Sequence, residues 1–130
     1  MRVPLKLKFY YLLSRFFQKN QTPKFSVDSP KEIRHGEEFS LETLKTYLSK
    51  NDINADNLSI KQFPSGYSNL TYFLKSSSRE FVLRRPPFGA KSLQGGHDMF
   101  REYNVLKNLK SQFTKVPDVY IYCDNNEIIG

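Results

Sequence analysis

Between Leu58 and Arg85 the chain passes through three short strand-like stretches, each cut off from the next by turn formers: Leu58 to Phe63, Leu70 to Lys75 and Glu80 to Arg85. Pro64-Ser65-Gly66-Tyr67-Ser68-Asn69 separates the first two, and Ser76 to Ser78 make a tight polar connection to the third. Pro86-Pro87 stops the third stretch, because proline cannot donate to a sheet ladder. Connections this short join antiparallel neighbours, so the middle of the chain is predicted to be a run of hairpins. Side chains alternate along a strand, which puts Phe81 and Leu83 on one face, Val82 and Arg84 on the other, and Arg85 opposite Arg84.

Helical patterns flank this region. Ser40 can cap a short helix with Leu41, Leu44, Tyr47 and Leu48 at helical spacing and Glu42 near its positive end. Asn51 to Asn57, rich in turn formers, ends it. After Gly95-Gly96, Asp98 can cap a second helix reaching about Leu109, with Met99, Tyr103, Leu106 and either Leu109 or Lys110 facing a sheet. Val116 to Cys123 and Glu127 to Ile129 read as two further strands around Asp124-Asn125-Asn126, the last one cut short. The fold class expected is α+β: an antiparallel sheet of about five strands with one principal helix and a short N-terminal helix, over residues 33–130.

Residues 1–32 read as a basic leader and linker. The chain has 20 Lys and Arg against 13 Asp and Glu. Six of those cations (Arg2, Lys6, Lys8, Arg15, Lys19 and Lys24) precede the first acidic residue, Asp28. The remainder is nearly neutral, which disfavours a nucleic-acid-binding domain, where cations would line the folded surface among stacking aromatics. On a helix, Val3 to Lys19 would gather Leu5, Phe9, Leu12, Leu13 and Phe16 on one side. Such a helix suits weak contact of residues 1–27 with an anionic membrane surface, a mitochondrial presequence, or an extension with no address function. Lys6 and Lys8 interrupt the apolar core that a secretory signal needs, and Phe9 to Leu13 is far too short to span a membrane. Pro23, Pro30 and small polar residues mark 20–31 as a linker. A single cysteine, Cys123, excludes an internal disulfide, provides no zinc-site spacing, and continues an apolar alternation that places it in the core. The compartment expected is cytoplasmic, with mitochondrial as the alternative.

The hairpin between the first two strands has the makings of a phosphate cover. Gly66 permits close approach of backbone, and Ser65, Ser68 and Asn69 provide short donors. By itself PSGYSN reads first as an ordinary hairpin turn, and it is the neighbouring segments that favour the phosphate cover. Arg84 adds a cation on the face it shares with the small apolar Val82, and Glu102, about one turn into the second helix, can hold its planar fork through a bidentate pair. The plainer alternatives are a solvated strand-end charge for Arg84 and a local helix pair with Arg101 or Lys107 for Glu102. His35-Gly36-Glu37 precedes the first strand and reads as a turn, and His97 reads as a helix-entry residue.

FPSGYSNLTYFL, EFVLRRPPFGAK, GGHDMFREYNVLKNL and VYIYCDNNEIIG, in that order, resemble successive motifs of the aminoglycoside phosphotransferase family. The likeness is to its phosphotransferase-like branch in particular, also found as the kinase-like front end of some acyl-CoA dehydrogenase fusion proteins. It covers about residues 33–130, and it is the set of four in order that is specific, not any one of them. The resemblance implies a protein-kinase-like N-terminal lobe. It implies that Ser65, Gly66, Tyr67, Ser68 and Asn69 position a nucleotide, that Arg84 stands where kinases keep the strand lysine, and that Glu102 is its helix partner. Arg in place of Lys, and Tyr67 and Ser68 where many kinases keep glycines, are departures. The resemblance further implies ATP and magnesium, with a small-molecule hydroxyl as acceptor, in an intact parent. The catalytic Asp and the magnesium-binding Asp of such enzymes belong to a second lobe. The 130 residues alone are therefore expected to hold no catalytic or metal-binding residue and to bind nucleotide weakly or not at all. A non-catalytic binding or regulatory module docking through the exposed lobe surface, or an incomplete gene product, are the alternatives.

Overall fold

A computed structural model describes residues 10–14, 29–65, 68–89 and 98–129. In chain order they form strand β1 (Tyr10–Ser14), helix α1 (Leu41–Lys50), strands β2 (Ser59–Gln62), β3 (Leu70–Lys75) and β4 (Glu80–Arg85), helix α2 (Met99–Leu109), strand β5 (Val119–Cys123) and the single turn α3 (Asn126–Ile129). The chain is α+β. Strands β2, β3 and β4 form the expected antiparallel meander, with Thr71 opposite Arg84 and Leu74 opposite Phe81. The whole sheet runs β2-β3-β4-β1-β5.

Capping fixes both longer helices where the sequence places them. Ser40 Oγ accepts from the Thr43 N–H at 3.2 Å and starts α1, and Asp52 at φ 60° lies just beyond its end. Asp98 Oδ1 accepts from the Arg101 N–H at 2.9 Å and starts α2. Leu44 and Leu48, one turn apart, are fully buried with Leu70, Tyr72, Leu74, Phe81, Leu83, Cys123 and Ile129, so α1 and α3 cover one face of the sheet. On the other face Met99 is buried against Val82, Tyr103, Leu106, Val119 and Tyr122, which docks α2 there. At the end of that stripe, Lys110 donates to the Val116 carbonyl at 2.8 Å and pairs with Asp118 at 3.1 Å, while Leu109 is exposed. Among the described residues no helix is long and apolar enough to cross a membrane.

Two expectations are corrected. Tyr10–Ser14, read as part of an amphipathic helix, is a strand paired with β4 on one side and β5 on the other. A short isolated helix is marginal, whereas an interior strand satisfies its backbone groups along two ladders. The flanking parts of that expected helix lie outside the described residues. Glu127 to Ile129, read as a clipped strand, belongs to the turn α3. Asn125 Oδ1 accepts from the Glu127 N–H at 2.9 Å, and the carbonyl of the buried Ile129 is met by a guanidinium described below. The fifth strand of this sheet therefore comes from the opposite end of the chain to that expected.

Candidate functional site

Arg84 and Glu102 converge. Strand alternation turns Arg84 toward the face covered by α2, and the Asp98 cap sets the first turn of that helix so that Glu102 points back. Arg84 Nε lies 2.9 Å from Glu102 Oε1, and Nη2 donates to Oε2 at 3.3 Å. The third nitrogen, Nη1, donates to Thr71 Oγ1 at 2.9 Å, across the β3/β4 ladder. The fork is thus held from two elements, but the expected bidentate pair is only half met: Nη2 supplies the one hydrogen bond to the carboxylate, while Nε is a close charge contact that makes no hydrogen bond. Burial holds the Glu102 carboxyl above its ordinary range and draws Arg84 below its own. An arginine starts so far above neutrality that it keeps its charge, and contact with the carboxylate offsets part of the cost of desolvating both. About a quarter of the Arg84 side chain stays exposed (27%), so the guanidinium remains within reach of solvent.

Arg85 lies on the opposite face and is 1% exposed. Its Nη1 donates to the Ile129 carbonyl at 2.6 Å, its Nε donates to the Pro86 carbonyl at 3.0 Å, and its guanidinium carbon sits 3.3 Å from the Phe88 ring centroid. The two adjacent arginines therefore differ completely in surroundings, as alternation requires.

The β2/β3 loop begins beyond a ladder bond from the Phe63 N–H to the Thr71 carbonyl at 2.9 Å. Ser65 and Ser68 are exposed and Asn69 is buried; Gly66 and Tyr67 lie outside the described residues, as does His97. Asn69 immediately precedes Leu70, the register partner of Arg85, so the loop ends beside the strand position that carries Arg84.

Sequence reasoning missed what braces this loop. Arg34 Nη1 donates to the Pro64 carbonyl at 3.1 Å, and its Nε pairs with Glu37 at 2.8 Å. Gln62, 1% exposed, donates to the same Glu37 carboxylate and accepts from the Arg34 N–H at 2.8 Å. The Tyr72 hydroxyl donates to the Glu37 carbonyl at 2.8 Å, and burial pushes that phenol up to about 12, so it stays a donor. His35-Gly36-Glu37 is a turn, with Gly36 at φ 84°, and its glutamate is the hub of this cluster. The available signal was Gln62, a polar residue that falls in alternation with Leu58 and Ile60 on the inward side of the strand.

The sequence from 59 to 130, which contains the loop, Arg84 and Glu102, matches the model of the APH family, the phosphotransferase enzyme family. This chain belongs to the APH phosphotransferase family. It resembles part of the acyl-CoA dehydrogenase family member 11 of Gallus gallus, 35% identical over 104 residues, and of Rattus norvegicus, 36% identical over 104 residues. Each alignment covers 76% of this chain and 13% of the relative. Acyl-CoA dehydrogenase family member 10 of Mus musculus is 36% identical over 73 residues, covering 56% of this chain and 7% of its own length. The APH chain thus spans a small fraction of the relatives it matches. No solved structure matches it.

Proposed function

We propose that this chain forms the nucleotide-covering lobe of an ATP-dependent phosphotransferase that acts on a small-molecule hydroxyl. The observation that carries the reading is the Arg84–Glu102 pair, held between β4 and α2 beside the end of the Ser65-to-Asn69 loop. In this role the loop lays Ser65, Gly66, Tyr67, Ser68 and Asn69 over the phosphates. Arg84 neutralises phosphoryl oxygens as charge shifts during transfer, and Glu102 keeps the guanidinium from swinging to solvent. A fork already oriented by Glu102 and Thr71 loses little freedom when phosphate arrives, which is where the arrangement gains over an unrestrained lysine.

The attacking hydroxyl's base and the magnesium site are proposed to come from sequence outside these residues. Turnover by the 130 residues alone is not part of the proposal, and nucleotide binding is expected to be weak. The compartment proposed is the cytoplasm, with the mitochondrion as the alternative.

Titrating the isotope-labelled chain with magnesium ATP tests the reading. The expected result is fast-exchange shifts at Ser65, Ser68, Asn69 and Thr71, together with the Arg84 Nε signal, all lost in Arg84→Ala. Shifts that survive Arg84→Ala unchanged, or that cluster away from the loop, would overturn it.

A further inference from the structure

The strand that completes the sheet does not come from the region that defines the family. β1 occupies an interior position between β4 and β5, yet residues 10–14 lie outside the 59–130 match. Among the described residues β4 and β5 share no ladder of their own. Taking β1 away leaves two facing rows of backbone donors and acceptors in the middle of a sheet, a slot shaped for one extended segment. On the β4 side that segment pairs Tyr11 with Arg84 and Leu12 with Leu83; on the β5 side it pairs Tyr10 with Cys123 and Leu12 with Ile121. The strand therefore buttresses the backbone position that presents Arg84.

Apart from its two ladders, this strand is joined to the rest of the sheet only through residues 15–28, which lie outside the described residues. The intervening sequence, residues 15–28, reaches on the order of 50 Å when extended. That is ample to deliver the strand to a neighbouring molecule. The ladder with β5 also carries a register shift between Leu12 and Leu13, so the fit on that side is interrupted. An identical strand from another molecule makes the same bonds in the same register, so exchange requires no new surface.

We propose that Tyr10–Ser14 is an exchangeable strand, and that two copies of this chain trade it, each completing the other's sheet beside Arg84. At low concentration the strand closes on its own sheet; when copies fold together at high concentration they interlock.

The register supplies a probe. Tyr10 faces Cys123, the native thiol, which is buried in the core. Residues directly opposite across an antiparallel ladder have Cα atoms about 4.5 to 5.5 Å apart, within disulfide range. The full chain carrying Tyr10→Cys is refolded and oxidised at low and at roughly hundred-fold higher concentration, and the disulfide between the introduced thiol and Cys123 is mapped by digestion and mass spectrometry. The expected result is a linked monomer at low concentration and, at high concentration, a covalent dimer held by two such links, one from each β1 to the Cys123 of the other copy. A link that stays within one molecule at both concentrations overturns the exchange, and so does the absence of any disulfide between position 10 and Cys123. Unsubstituted chains with two different tags, unfolded together and refolded at high concentration, provide a second measurement that needs no cysteine change. They should co-purify as a mixed dimer, and recovery of separate monomers alone would also refute the proposal.

Discussion

Arg84 and Arg85 stand side by side in sequence and are separated by the thickness of a sheet. Arg84 is held by Glu102 and Thr71 at a partly exposed edge, whereas Arg85 is sealed against Phe88 and the Ile129 carbonyl. Their substitutions should separate cleanly. Arg85→Ala leaves a buried carbonyl without that donor and opens a cavity, so it should cost about 3 kcal/mol in urea unfolding. Arg84→Ala removes a partly solvated pair and should cost about 1 kcal/mol or less while abolishing the ATP response. The reverse order of stability losses would mean that the strand faces are exchanged. Glu102 adds a pH signature. Burial raises its native pKa above the unfolded value, so between those two values the folded chain binds more protons and stability falls as pH rises. Glu102→Gln should flatten that slope, and urea midpoints measured across the interval for both chains would show it.

Helix α2 is legible in the sequence because every local rule agrees: an Asp cap, an acidic first turn, and apolar residues at helical spacing. The β3 and β4 ranges, bounded by serines and by Pro86-Pro87, are legible for the same reason, and alternation along β4 was enough to aim Arg84 at Glu102. What failed was local ambiguity. Tyr10–Ser14 lies in a stretch whose apolar residues fit a helix stripe, and only partners about 70 to 110 positions away make it a strand. Glu127 to Ile129 is too short for any pattern, and its outcome is settled by Asn125 and Arg85. The Arg34–Glu37–Gln62 cluster joins residues 25 and 28 apart in sequence, beyond the reach of spacing rules. Caps give a direct test at this scale. Asp98→Ala and Ser40→Ala should each cost about 1 kcal/mol, but only Asp98→Ala, which loosens the turn bearing Glu102, should also shift the Arg84 Nε resonance. Equal effects on that resonance would mean that α2 does not set the pair.

Across the molecule, the sheet divides two cores, and β1 is what joins its halves. Proline at Leu12 cannot donate to either ladder, so Leu12→Pro should open the β1/β5 edge and expose the thiol of Cys123, now 3% exposed. Its modification by a thiol reagent should accelerate at least about tenfold, the change expected from about 1.4 kcal/mol of local destabilisation; an unchanged rate would mean that β1 does not guard that edge. The grip of Arg85 on Ile129 has a mechanical side. One end of β4 is fastened to the last described turn of the chain, and the very next residue along the strand aims a charge at the opposite surface. Because the two arginines share one extended backbone, the bond that anchors Arg85 to that turn also fixes the strand end from which Arg84 projects.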